Sequence, residues 1–352
     1  MGLFFGNNDV KVLIEAAGKL TLGKLDKMLI ITNEEDIPAT ALSGSDAIAE
    51  LEAILVDKQA PKLIEALRVA LGQEDNSGNK LTTSYIFVLG KKITAADNTA
   101  LYEAVEAFDK TREADFFGIA PVFEDVKFEE WAQTYAPNHI FSTFTITARA
   151  LEDKSKSGRI FGQKMKAQGY NHIAWMARIL FANKFVGPKF KTLNGCVTDP
   201  LTDGEVELMT KAGWNEYRSV RGKGQTTGSI CTDAKTHIDE TILRDTIVYN
   251  VANSLMDMFV NEEIVPMGYD GKKLITGYIE SALMYCGNLG LIEVGQDGGY
   301  LFSVNVPDFT KEMKSLRELS SKDPLFTYSP NIPLEKITVT GKEILDWAGG
   351  AA

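Results

Sequence analysis

Residues 331–345, NIPLEKITVTGKEIL, constrain this chain more tightly than any other stretch. Ile337 and Val339 alternate with Thr338 and Thr340, the period-2 pattern of a strand with one buried face. Pro330 and Pro333 hold the approach extended and remove two backbone donors, so the segment enters its strand from outside a sheet. A lone strand is unstable in water and must add to an existing edge. Residues 9–15, DVKVLIE, offer a second one, with Val10, Val12 and Ile14 on one side. Two strand-like ends allow two outcomes. They close one sheet within the chain, or they add to the sheets of neighbouring copies.

At 352 residues the chain exceeds the size at which one core usually keeps growing, so two domains are expected. With 44% hydrophobic and 24% charged residues it is neither disordered nor collagen-like. A net charge of -11 sets it against nucleic acid, whose phosphates need a basic face. No uncharged apolar run approaches the roughly 18 residues of a membrane span. The start, MGLFFGNNDVK, lacks a basic segment followed by an apolar core, so no signal peptide is expected. Gly2 opens a myristoylation pattern that Gly6 spoils, where Ser or Thr is needed. Cys196, Cys231 and Cys286 are far apart and form no CxxC. They read as small hydrophobes in a reducing cytoplasm.

Strand-like runs at 27–32, 85–89, 116–120 and 139–146 alternate with helical patterns at 46–55, 62–71, 95–108 and 124–135. That order predicts a small α/β layer domain over residues 21–150. Residues 151–168, charged and glycine-punctuated, read as a linker into a second domain, 151–330. Its expected helices are 173–183, apolar nearly all round, then 202–212 and 235–260. The last carries an apolar stripe of Ile238, Ile242, Val248, Val251, Leu255 and Phe259, with Asp239, Arg244, Asp245 and Asn253 on its surface. Helices at 274–287 and 308–319 flank a predicted β-hairpin, 289–294 and 300–306, around a QDGG turn.

Candidate chemistry is sparse. The glycine-rich residues 221–228, with Arg218, Arg221 and Lys223, are the best candidate for an anion cradle. Neither GxxxxGK[ST] nor a strand–GxGxxG–helix is present, which favours a flexible surface loop. His237 and Asp239 offer two metal ligands, but residues two apart on one helix face different ways. A capping or exposed role is expected for His237, and structural roles for His139 and His172. There is no GxSxG, and no cysteine has a recognisable catalytic partner. The paired carboxylates at 34–35, 129–130 and 262–263 read as solvated surface. Trp175 and Phe181 read as core, while Trp131, Trp214 and Trp347 are scattered singly. No catalytic residue, cofactor or metal is expected.

Over residues 170–342 the chain resembles the tail sheath proteins of contractile phages and related contractile injection systems. The likeness lies in the order of several features. An apolar helix, HIAWMARILF, precedes KFKTLNG; a helix leads into GWNEY; the glycine loop precedes Ile238-Asp239 and a long helix; a strand, a short helix with Arg317 and a proline-bounded connection lead to ITVTG. The resemblance implies a non-enzymatic homopolymer of stacked hexameric rings around an inner tube, contracting to drive that tube through a target cell envelope. It implies an α/β fold whose α+β inner domain (151–330) takes in both chain ends, with the small outer α/β domain (21–150) inserted. Residues 1–20 and 331–352 would be arms exchanged between subunits, carrying Val10, Val12 and Ile14 at one end and Ile337, Val339 and Thr340 at the other. The hairpin at 291–304 would be part of the receiving sheet, and Glu240, Arg244 and Asp245 would face the tube. Implied partners are further copies, the tube protein, and baseplate and tail terminator proteins, without direct nucleic-acid or membrane contact. The implied place is the virion tail, assembled in the host bacterial cytoplasm. The chain is short for a sheath, so its outer decoration is expected to be one small domain. Two alternatives are a nucleotide-binding α/β enzyme, favoured by the β-α alternation and the glycine loop, and another self-assembling tail or baseplate part.

Overall fold

The computed structural model describes residues 25–333 except 56–58, 94–96, 112–115, 136–138, 147–155, 166–168, 318, 320 and 322, together with the backbone of two short N-terminal strands. These strands, β1 (Leu3–Phe5) and β2 (Val10–Val12), pair antiparallel with Leu3 opposite Val12.

The apolar run MLIIT forms β3 (Met28–Thr32), buried at every residue, as a strand covered on both faces should be. β4 (Ile37–Ser43) is a strand that the sequence pattern did not suggest. It contains Pro38, which a sheet tolerates at an edge, and an edge is where it lies. After α1 (Ala47–Ile54) and α2 (Pro61–Leu71), opened by Pro61, β5 (Tyr85–Gly90) pairs with both β4 and β3. α3 (Thr99–Asp109), β6 (Gly118–Pro121), α4 (Val126–Tyr135) and β7 (Ile140–Thr145) continue the alternation.

The sheet does not stop at residue 150. Within the expected linker lies β8 (Ile160–Lys164), four of its five residues buried. α5 (Asn171–Leu180), buried all along its length, and α6 (Asp203–Lys211) lead to β9 (Trp214–Asn215). The result is one seven-stranded sheet, ordered β4-β5-β3-β6-β7-β8-β9 and parallel except for β4. The alternating pattern of 21–150 was only its first part. The charges of 151–168 hid β8, in which only Ile160 and Phe161 carry apolar side chains.

α2 and α5 pack on each other and against the sheet. α3 and α4 meet through Tyr102 and Trp131, stacked at 4.9 Å. Trp131 is therefore not isolated: Tyr135 stacks on it at 4.7 Å, Phe128 tilts against it and Phe141 meets it edge-on. α6 starts at a reciprocal capping box between Thr202 and Glu205 and stops at Gly213, whose φ of 76° suits glycine.

β10 (Tyr217–Val220) and β11 (Lys223–Thr226) form a hairpin. α7 (Ile238–Asn261) then spans two apolar cores. Ile238 and Ile242 belong to the core of the sheet, whereas Leu243, Ile247, Val251 and Met258 belong to a second core with α8 (Tyr269–Asn288). The core divides at α7 rather than at residue 150. With neighbours on nearly all sides, α7 buries the polar residues expected on its surface: Asp239, Asp245 and Asn253 are 2%, 3% and 0% exposed. Periodicity records hydrophobicity, and these side chains are buried because they are paired or helix-packed, which periodicity does not record.

The chain ends its described part with β12 (Phe302–Val304), α9 (Lys311–Leu316) and β13 (Phe326–Tyr328). The predicted hairpin closes at Val294 and Tyr300, with Gly298 at φ 83° in its turn. Its arms then fork. β13 pairs with β12, and the residues after it bridge to Ile292. Ser329 holds both arms: its N–H donates to the Leu301 carbonyl at 2.8 Å, and its own carbonyl accepts from Glu293 at 2.9 Å.

Candidate assembly surfaces

Val10 and Val12 lie in β2, opposite Phe5 and Leu3. Ile14 lies outside the described residues, as do Ile337, Val339 and Thr340. The three-segment β unit around residues 291–304 is where the chain leaves toward them. Asn331 donates its amide side chain to the Gly290 carbonyl at 2.9 Å. Pro333 sits so close to Gly187 that a Cβ there would stand 2.8 Å from it.

Of the three residues expected to face a tube, Glu240 is exposed and Arg244 keeps 43% of its side chain in solvent. Asp245 turns inward, a correction to its expected placement. Arg159, just before β8, donates to both its oxygens at 2.7 and 3.1 Å, and Arg244 Nε lies 3.4 Å away. Burial pushes the Asp245 carboxyl up, and Arg159 and then Arg244 oppose that rise.

The glycine loop is a tight hairpin, not an open cradle. Arg221 and Gly222 form its two-residue turn, both at positive φ (51° and 79°), between Val220 and Lys223, as a primed turn requires. Gly224 lies under the Tyr217 hydroxyl with no room for a Cβ. Arg218 is paired with Asp203 at 2.6 Å.

Beside the hairpin sits a group with no signal in the sequence. Glu216 is fully buried, one oxygen accepting from the Thr227 hydroxyl and the other without a partner. Burial pushes its carboxyl up to about 7, although Arg218 and Lys189 pull the other way. The N-E-Y context looks like surface, and only the tertiary packing encloses it.

His172 is fully buried, 2.8 Å from the Pro121 carbonyl, and burial brings its pKa down to about 4. It is a neutral ring donating one hydrogen bond. His139 stacks on Phe116 and pairs with Asp109 at 3.1 Å. His237 occupies the position before α7, but its side chain does not cap the helix; Nδ1 lies 2.5 Å from Ser229 Oγ. Glu129, expected on the surface, is 1% exposed and accepts from Thr143 at 3.2 Å. Burial raises the Cys196 and Cys286 thiols to about 12, far from a reactive thiolate. Among the described residues no group of three or more His, Cys, Asp or Glu could hold a metal ion, and no helix is long and apolar enough to cross a membrane.

No family model and no curated protein sequence matches the chain. Solved structures do match it almost end to end. The helical sheath of the anti-feeding prophage in its contracted state superposes with a TM-score of 0.69 at 13% identity, covering 97% of this chain and 99% of that one. The contracted sheath complex of the PVC extracellular contractile injection system gives 0.68 at 10% identity, covering 98% and 99%. The sheath tail protein from Listeria innocua gives 0.51 at 10% identity, covering 89% and 96%. From its first strands to its last, this chain has the fold of the contractile sheath proteins.

Proposed function

We propose that this chain is the structural subunit of a contractile sheath and catalyses no reaction. The observation that carries this reading is the full-length likeness to two sheaths solved in the contracted state, without a large unmatched part in either chain. A chain that matches only in its α/β layer would leave the enzyme alternative open, and the glycine loop that favoured it is a closed hairpin. In this reading the subunits stack as hexameric rings around an inner tube protein, between baseplate and terminator, in a phage-like particle assembled in a bacterial cytoplasm.

The arms mesh the rings. Val10, Val12 and Ile14 from one copy, and Ile337, Val339 and Thr340 from another, add as strands to the β unit of residues 291–304 in a third. Main-chain hydrogen bonds supply the strength, and the connections act as hinges while the folded bodies rotate. Glu240 and Arg244 stand toward the tube. A chain truncated at residue 330 keeps the described cores and remains a folded monomer that forms no tubes by electron microscopy. Normal tubes from that truncation rule out the exchanged C-terminal arm.

A further inference from the structure

Two exposed patches of opposite character lie near the two ends of α7. The first is centred on Phe190, 48% exposed, with φ at 59°. A bulky residue in the left-handed region is strained, and the surrounding bonds hold it there. Its N–H donates to the Thr226 carbonyl at 2.8 Å; Thr226 N–H donates to the Lys191 carbonyl at 2.9 Å; the Thr226 hydroxyl accepts from Lys191 N–H at 2.9 Å and donates to the Pro188 carbonyl at 2.7 Å. Lys189 Nζ sits 5.4 Å from the ring centre. Residues 184–195 contain three lysines and no carboxylate. The patch is aromatic and basic.

The second patch is the α7–α8 turn. Phe259, Val260, Ile264 and Tyr269 are 54%, 54%, 77% and 71% exposed, a dense set of apolar side chains for one turn. Residues 257–270 contain Asp257, Glu262, Glu263 and Asp270 and neither Lys nor Arg, although Lys273 from the next turn lies over the Tyr269 ring. This patch is apolar and acidic.

The two cannot meet within one copy. Phe190 is clamped to Thr226, close in sequence to Ser229, whose carbonyl accepts from the first residue of α7. The other patch is at the far end of a 24-residue helix, about 36 Å away along its axis. We infer that the α7–α8 turn of one copy docks on the Phe190 patch of the next, with Ile264 against the Phe190 ring and Glu263 facing Lys189 and Lys191. Such a contact is heterologous, so it propagates from copy to copy into a ring or a helix. It specifies a side-chain contact for the self-assembly proposed above and rests on that reading.

Copies carrying one added cysteine test it in a Cys196→Ser background, where the remaining Cys231 and Cys286 are buried. Mixed under mild oxidation, Phe190→Cys and Ile264→Cys copies give a disulfide-linked pair that neither gives alone. Phe190→Gly melts no lower than the parent, because glycine relieves the strain, yet its self-association falls at least tenfold by sedimentation. Lys189→Glu weakens association and Glu263→Lys on the partner copy restores it. Absence of the mixed disulfide, or parental association of Phe190→Gly, overturns the contact. The two proposals fail separately: a mixed disulfide without tubes keeps the contact and discards the sheath, whereas tubes without the disulfide do the reverse.

Discussion

The guanidinium of Arg159 grips the carboxylate of Asp245 with two hydrogen bonds, 2.7 and 3.1 Å long, and so ties the entry of β8 to the first half of α7. Arg159 also donates to the His139 carbonyl at 3.1 Å, which brings the start of β7 into the same junction. This is the charged join between the sheet and the helix that carries the second core. Removing one partner strands the other as a buried charge. Asp245→Ala is expected to cost about 3–5 kcal/mol, read from denaturant midpoints. A loss below about 1 kcal/mol, the range of surface pairs, means that the junction does not need this pair.

Glu216 makes stability fall as pH rises. Its folded pKa, about 7, lies above the ordinary value of 4.5, so the folded chain holds its proton more tightly than the unfolded chain. The full penalty is present above pH 7 and vanishes below about 4.5. Glu216→Gln is expected to stabilise by about 2–3 kcal/mol at pH 8 and to make little difference at pH 4.5. Equal effects at both values discard the buried-carboxylate account.

His172 acts in the opposite sense over a similar range. Its folded pKa, about 4, lies below the ordinary 6.5, so the unfolded chain takes up the proton first. Its contribution is intact above pH 6.5 and is lost progressively as pH falls toward 4. The parent chain is expected to lose about 3 kcal/mol across that window relative to His172→Gln, in paired unfolding curves. A parallel pH response of the two chains argues against a neutral buried ring. Glu216 and His172 offset each other in the parent, so only the variants separate them.

Gly162 lies beneath the fully buried Trp214 ring, where a Cβ would stand 2.5 Å from Cζ3 and 2.6 Å from Cε3. This is where β9 closes the edge of the sheet. Gly162→Ala is expected to cost about 1–3 kcal/mol by overpacking and to shift Trp214 fluorescence. An unchanged melting temperature and spectrum show that β9 packs more loosely than these distances require.

Much of the α/β layer was legible in the chain. The runs at Met28–Thr32 and Tyr85–Gly90 are apolar enough to announce strands buried on both faces, and the helix stop at Gly213 follows from local backbone freedom. β4 and β8 escaped notice because Pro38 and the charges around Ile160–Lys164 interrupt the pattern that strands usually display. The glycine loop was expected to be a flexible surface loop, and that its glycines serve a primed turn is plain only once the register of β10 and β11 is known.

The sequence by itself determined most of the element types in the α/β layer, the α/β class and the strand character of Val10–Val12, because hydrophobic periodicity and backbone restriction act over a few neighbouring residues. Only the tertiary structure decided that one sheet runs past residue 150, that Asp245 and Glu216 are enclosed, and that α7 joins two cores. Each of these depends on contacts between residues far apart in the chain, as between Arg159 and Asp245, and burial of a charge depends on what surrounds it in space rather than on its neighbours in sequence.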